Sequence, residues 1–153
     1  MYSFFLNWMG RHDEAIEHAG RAERLNPGSP IERAYLTAAL ICARRLDEAL
    51  AHARRTVELC PDYGFGHEWL SRAYDVKGMY EEALAAQHEA IRLMGEADVN
   101  RKAMLGMAHA RAGRREEALQ ILSELRALEG TSYVDPVLFA YVPIGLGQAG
   151  EAI

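Results

Sequence analysis

Apolar residues recur along this chain at helical spacing rather than strand spacing. Leu36, Leu40 and Ala43 form one stripe. Leu70, Tyr74 and Val76, with the aliphatic stem of Lys77, form a second, and Leu119, Leu122, Leu125 and Leu128 a third. Each matches one face of a 3.6-residue period. Stop signals at regular intervals separate the stripes: Pro27, Pro61, Gly95 and Gly130. Proline lacks the N–H a helix interior needs and clashes with the preceding turn, and glycine weakens a helix. A second set of glycines, Gly10, Gly78, Gly113 and Gly147, falls between stripes, with Arg44 once in that place. Glycine suits the left-handed position just past a helix end. The pattern therefore predicts helix, short turn, helix, stop, several times over.

A triplet fixes the period. Glu14-Ala15-Ile16, Glu48-Ala49-Leu50, Glu82-Ala83-Leu84, Glu117-Ala118-Leu119 and Glu151-Ala152-Ile153 place their alanines 34, 34, 35 and 34 residues apart. One further copy, Glu89-Ala90-Ile91, is out of phase. A period of this size marks stacked supersecondary units. The repeated Ala falls early in the second helix of each unit, where a small side chain lets two antiparallel helices approach closely. Acidic pairs at Asp13-Glu14, Asp47-Glu48, Glu81-Glu82 and Glu116-Glu117 recur at helix starts, where they offset the positive end of the macrodipole.

Position-specific residues carry a resemblance. The third unit has Trp69-Leu70, Tyr74, Gly78, Tyr80, Ala83 and Ala90. The fourth has Leu105-Gly106, His109, Gly113, Ala118, Leu122 and Leu125, and the second Leu36, Leu40, Ala49, Ala53 and Pro61. The unit resembles the tetratricopeptide repeat, a helix-turn-helix of this length. The resemblance covers the whole chain. It implies an all-α fold, a right-handed α-solenoid of antiparallel helix pairs with about nine helices and a truncated end. Residues 1–153 then form a single solenoid with a partial repeat at 1–29, full repeats at 30–63, 64–97 and 99–132, and a partial repeat at 133–153. One extra residue falls near Asp98.

The register gives the ends a particular reading. The first helix is expected at about Tyr2–Met9, its residues Tyr2, Phe4, Phe5, Leu6, Trp8 and Met9 packed as core against Ala15, Ala19 and Ala22. The last first-helix, Phe139 to Leu146, is expected to leave an apolar face open, and Pro143 to kink or interrupt it. Neither end looks like a polar cap. The expectation is a fragment of a longer repeat protein that self-associates through one or both incomplete ends.

Composition narrows the function classes. Half the residues are hydrophobic and a quarter charged, which argues against disorder. The formal charge is −5, and the basic pairs Arg44-Arg45, Arg54-Arg55 and Arg114-Arg115 are interleaved with acids. Nucleic-acid binding by this segment is not expected without a basic footprint. No basic n-region or cleavage site marks a signal peptide, and the apolar opening is too short to span a membrane. A cytoplasmic location is expected. Lys77 and Lys102 are the sole lysines in an Ala- and Arg-rich chain, a composition associated with bacterial genomes.

No chemistry-bearing motif stands out. Cys42 and Cys60 are too few for a disulfide framework or zinc motif. Cys42 reads as a small buried hydrophobe and Cys60, at a helix end, as partly exposed. His12, His18, His52, His67, His88 and His109 are scattered. His67-Glu68 lacks the second His of a zinc-protease helix, and His109 takes a packing position. Gly145, Gly147 and Gly150 lack the Lys-Ser/Thr of a phosphate loop and read as turn glycines. No catalytic residue, metal ligand or cofactor is expected.

The expected function is that of a non-catalytic protein–protein interaction scaffold. In the resembled family the first helix of each unit lines a concave groove. By register that face carries Phe65, Glu68, Arg72 and Asp75, then Asn100, Met107 and Arg111, then Tyr141, spaced along helical faces. A protein or peptide partner would lie there. The competing reading is that Glu68, Arg72 and Asp75 pair along their own helix. The asparagines that clamp a peptide backbone in some family members are replaced here by Ala38, Arg72, Met107 and Tyr141. Tyr133-Val134-Asp135-Pro136, Ala140 and Gly145-Leu146-Gly147 also resemble the last repeats of bacterial multidomain regulators. Two alternatives follow: a regulatory or sensory arm of a larger transcription regulator or kinase, and an accessory segment of an enzyme whose active site lies elsewhere.

Overall fold

The structure, a computed structural model, describes residues 2–95, 98–128 and 134–148. Among these the chain is helical throughout. The helices are α1 (Tyr2–Trp8), α2 (His12–Leu25), α3 (Pro30–Cys42), α4 (Leu46–Leu59), α5 (Gly64–Val76), α6 (Tyr80–Met94), α7 (Val99–Arg111), α8 (Arg115–Leu128), a 3-10 helix (Pro136–Ala140) and α9 (Tyr141–Gly145). The architecture is an all-α helical-repeat solenoid. It divides into two compact units, Met1–Met79 and Tyr80–Ile153. The last triplet, Gly130, Tyr133 and Gly150 lie outside the described residues.

One turn recurs five times. Gly10, Arg44, Gly78, Gly113 and Gly147 all have φ between 60° and 77°. In each, the left-handed residue donates its N–H to a carbonyl in the helix end, and the next residue donates deeper. Gly10 N bonds Asn7 O and Arg11 N bonds Leu6 O, at 3.0 and 2.9 Å. Arg44 N bonds Ile41 O and Arg45 N bonds Leu40 O, both at 3.0 Å. This is the Schellman arrangement, which satisfies carbonyls that a helix end otherwise leaves open. The residue that closes one helix also opens the next: Arg11 and Arg45 are the N-caps of α2 and α4. The turn therefore has no slack. Among the described residues Arg44 is the one non-glycine with positive φ, a conformation in which its Cβ crowds the backbone.

The repeated alanine is the fourth residue of α2, α4, α6 and α8. Ala15, Ala49, Ala83 and Ala118 are at most 1% exposed, so no larger side chain fits without parting the helices. The acids beside them do more than meet the macrodipole. Arg11 reaches Glu14 at 2.5 and 2.6 Å, and Arg45 reaches Glu48 at 2.5 and 2.7 Å. These pairs are on the surface and add little to stability.

In the first unit α1 packs on α2 and α3, and α3 on α5. Leu6 is fully buried with Ala15, Ala19 and Ala39. The expectation that the whole opening helix is core is corrected here. Tyr2, Phe5 and Trp8 are exposed, Trp8 by 89%, because a seven-residue helix meets its neighbours on one face only, and Met9 is exposed in the turn that follows. Cys42 is also exposed, against expectation. It is the last residue of α3, at the register position where α1 has the exposed Trp8. Cys60 is half-buried.

In the second unit the extra residue falls at a working cap. Asp98 accepts the Arg101 N–H at 3.0 Å and starts α7. Ala103, Ile121, Leu125, Val134 and Leu138 form a core cluster, and Val142 joins Ala110, Ala118 and Leu122 in another. Around Pro143 the fifth first-helix is split into the 3-10 helix and α9, as a proline without an N–H donor favours. Gly145 is not a turn residue. It lies in α9, where a Cβ would sit 2.7 Å from the Ala110 Cβ, so it is a helix-contact glycine. Gly147 makes the turn.

The left-handed turn yields a signed prediction. A non-glycine there costs roughly 1–2 kcal/mol, more than the roughly 0.5–1 kcal/mol of extra unfolded-state freedom glycine brings. Arg44→Gly should therefore raise unfolding free energy by about 1 kcal/mol in urea titration. An unchanged or lower stability would show that the turn is not strained.

Candidate functional site

The residues assigned to the first-helix face fall in both units, and each unit presents its own part. In the first, α5 carries Phe65, Glu68, Arg72 and Asp75 around Trp69, which the register placed at a repeat-defining position. The Phe65 ring stands edge-on to Trp69 at 6.0 Å, and Tyr63 stands edge-on to Phe65 at 6.2 Å. From α1, Phe4 reaches Trp69 at 6.1 Å and meets Tyr35 of α3 edge-on at 5.3 Å. Three first-helices thus contribute to one aromatic layer, which packs with Ala34, Ala38 and Ile41. Trp69 itself is 8% exposed. Edge-to-face contacts of this kind add to the plain burial of the rings.

Charge sits on top of this layer. The Arg72 guanidinium lies over the Trp69 ring, 4.7 Å from its centroid, a cation–π contact worth roughly 0.5–2 kcal/mol depending on desolvation. Its Nη2 lies 3.1 Å from Glu68 Oε1. Glu68 is buried, and this pair accounts for a carboxylate held away from water. The intrahelical pairing of Glu68 with Arg72 is therefore present. It fixes the Arg72 cation in place, with the side chain still 40% exposed. Asp75 is half-buried one turn further on. Although Cys42 is exposed as a residue, partial desolvation of its thiol outweighs the Arg72 cation and raises its pKa. That is the opposite of what a reactive thiolate requires.

In the second unit Asn100 is exposed near the start of α7, and Met107 and Arg111 are half-buried further along it. Tyr141 opens α9, half-buried against the Ala103–Leu138 cluster. His109 is buried and meets His88 edge-on at 5.6 Å. Burial, then the neighbouring His88, lowers its pKa from the ordinary 6.5.

One polar network has no counterpart among the sequence expectations. Glu23 of α2 bonds Arg33 of α3 at 2.8 Å and His52 of α4 at 3.2 Å. His52 Nδ1 lies 3.0 Å from the Thr37 hydroxyl, which itself lies 3.2 Å from the Arg33 carbonyl. The order hydroxyl, imidazole, carboxylate matches a hydrolytic triad in type. Thr37 is 0% exposed, so no substrate reaches it, and the network is a clamp across three helices. No motif spacing announces it, because Glu23, Arg33 and His52 stand on three successive helices and meet only through the packing of one repeat on the next. Among the described residues no three His, Cys, Asp or Glu side chains gather to hold a metal, and no helix is long and apolar enough to cross a membrane.

Solved structures match this fold over almost the entire chain. A thermophilic TPR protein of Thermus thermophilus is 26% identical, with a TM-score of 0.75 over 99% of this chain and 82% of that one. A putative kinesin light chain of Podosopora anserina with nearly identical TPR-like repeats is 16% identical, with a TM-score of 0.74 over 99% and 86%. In the anaphase-promoting-complex hetero-tetramer Cut9–Hcn1, a chain is matched at 19% identity and a TM-score of 0.74, over 96% of this chain and 28% of that one. No protein-family model matches the sequence, and no curated protein matches it. The chain has the helical-repeat fold of the TPR proteins it resembles.

The His109 environment predicts a pH dependence. Its folded-state pKa is depressed, so the unfolded chain takes up the proton first as pH falls below the ordinary 6.5. Its contribution is complete above that value and is lost as pH falls through the folded-state pKa. His109→Tyr should therefore flatten the stability profile as pH falls below the ordinary 6.5, read by urea unfolding. An identical slope in both proteins would remove His109 from the account.

Proposed function

We propose that this chain is a non-catalytic scaffold that binds a protein or peptide partner on its first-helix faces. The observation that supports it most is the Trp69 centre of the first unit. Aromatic rings from three helices form one layer around Trp69, and over the Trp69 ring lies a guanidinium that is held by Glu68 and still 40% exposed. Aromatic and Arg side chains are the types that dominate binding energy at protein interfaces, and here both are pre-ordered by packing. A partner segment with an apolar side chain and an acidic one matches this face: the first rests against Phe4, Tyr35 and Phe65, the second meets Arg72. In the second unit Asn100, Met107, Arg111 and Tyr141 offer a smaller mixed face. The matched Cut9–Hcn1 chain comes from a protein complex, which supports a partner-binding use of the fold.

Self-association is the second part of the proposal, and the exposure of α1 favours it. Tyr2, Phe5, Trp8 and Met9 are each more than half exposed. The helix carries no charged residue to solvate them or to repel a second copy. Sedimentation velocity should show mass-action dimerisation that Trp8→Ser weakens. A monomer at every concentration would discard this surface.

Arg72→Glu reverses the cation on the aromatic face and places a second carboxylate beside Glu68. Partner retention by the immobilised chain should fall at least about tenfold, equivalent to roughly 1.4 kcal/mol. Because the buried Glu68 loses its partner, retention is compared at a temperature where the variant keeps its helical content. Undiminished retention by a folded variant would reject the first-unit face as the binding site.

A further inference from the structure

The second unit holds a cavity of about 230 Å³ between α6, α7 and α8, lined by His88, Ile91, Lys102, Leu105, Ile121 and Glu124. Its significance comes from register. Ile91, Lys102 and Ile121 stand where the first unit has Glu23, Arg33 and His52. There, Glu23 bonds both Arg33 and His52 and ties three helices together. Here, two of them are replaced by isoleucines that cannot bond, each 8% exposed. Gly106 takes the place of Thr37, with Ile121 Cγ2 only 3.0 Å from where its Cβ would be. The same backbone site is filled by a polar clamp in one unit and left as an apolar hollow in the other.

The hollow has a charged edge of both signs. Lys102 Nζ lies 2.5 Å from Glu124 Oε2, and Gln120 donates to the other Glu124 oxygen at 3.1 Å. His88 completes the edge, held edge-on against the buried His109. The volume is below the roughly 300–1,000 Å³ typical of drug-sized ligands, so the occupant is compact. A purely apolar guest would leave the ion pair as it is. A singly charged guest would have to compete with Lys102 or Glu124 for its partner. A compact zwitterion leaves every charge paired, its ammonium on Glu124 and its carboxylate on Lys102, while its apolar part covers Ile91, Leu105 and Ile121.

We propose that this cavity is a binding site for a free α-amino acid with a compact apolar side chain, of which leucine is the type. The site is separate from the first-helix faces, and neither reading depends on the other. Weak affinity is expected, since a ligand of this size buries few atoms.

The test is a titration of the isotope-labelled full chain with L-leucine, followed by amide and methyl resonances. Saturable shifts should centre on Ile91, Leu105 and Ile121. Isoamylamine and 4-methylpentanoate, each lacking one charge, should bind at least about tenfold more weakly. Lys102→Gln and Glu124→Gln, both at partly exposed positions, should weaken leucine by a similar factor. The pair Ile91→Glu with Ile121→His writes the first unit's residues into the cavity and should abolish the shifts. If that pair fails to fold, the Lys102 and Glu124 variants decide alone. No saturable shift at about 20 mM leucine, a concentration that would detect millimolar binding, would overturn the proposal. So would equal binding of the singly charged analogues, which would reduce the cavity to a simple apolar hollow.

Discussion

The backbone turn with one left-handed residue governs this structure. It ends a first helix and begins the second within the same two residues, so within the units the angle and offset of the pairs α1–α2, α3–α4 and α7–α8 follow from it. The Schellman bonds satisfy the carbonyls that the helix end exposes. The turn occurs at Gly10, Arg44, Gly78, Gly113 and Gly147. The fourth residue of α2, α4, α6 and α8 is in every case a buried alanine, and in α2, α4 and α8 it follows such a turn within one unit. The triplet that marks the period in the sequence is therefore the imprint of one geometric requirement.

With the frame set this way, the remaining positions are free to differ, and they do. The Phe4, Ala38, Arg72 and Met107 positions are register equivalents on the first helices. They run from aromatic to small to cationic to thioether. The Glu23–Arg33–His52 clamp and the isoleucine-floored hollow likewise occupy one register site. Chemistry in this chain lives in such departures from the repeat, while the repeated residues build the scaffold. The tetratricopeptide fold accounts for the latter and is silent about the former.

Much of the fold was legible in the sequence because its determinants are local. Glycine after a helix, proline at a stop and alanine at a contact act within a few residues of where they stand. The helix starts at His12, Leu46, Tyr80 and Arg115 follow from them. What the residues alone did not show depends on which face meets a neighbour. Periodicity marks Tyr2, Phe5 and Trp8 as helical but does not say that their side of α1 is left open. Cys42 looked like core by composition and is exposed at the end of its helix. Gly145 looked like a turn because glycines cluster there, whereas the approach of Ala110 is what requires it. The candidate face was legible as Phe65, Glu68 and Arg72. Its centre at Trp69, and the rings of Phe4 and Tyr35 from two other helices, needed the fold.

The central claim is that partners are taken on the first-helix side, with the second helices as support. Site-specific photocrosslinking tests it most directly, with benzoylphenylalanine placed at Phe65 on α5 or at Ala51, an exposed residue of α4. The account predicts partner adducts from position 65 and none from position 51. Adducts from position 51 alone, or equally from both, would contradict it.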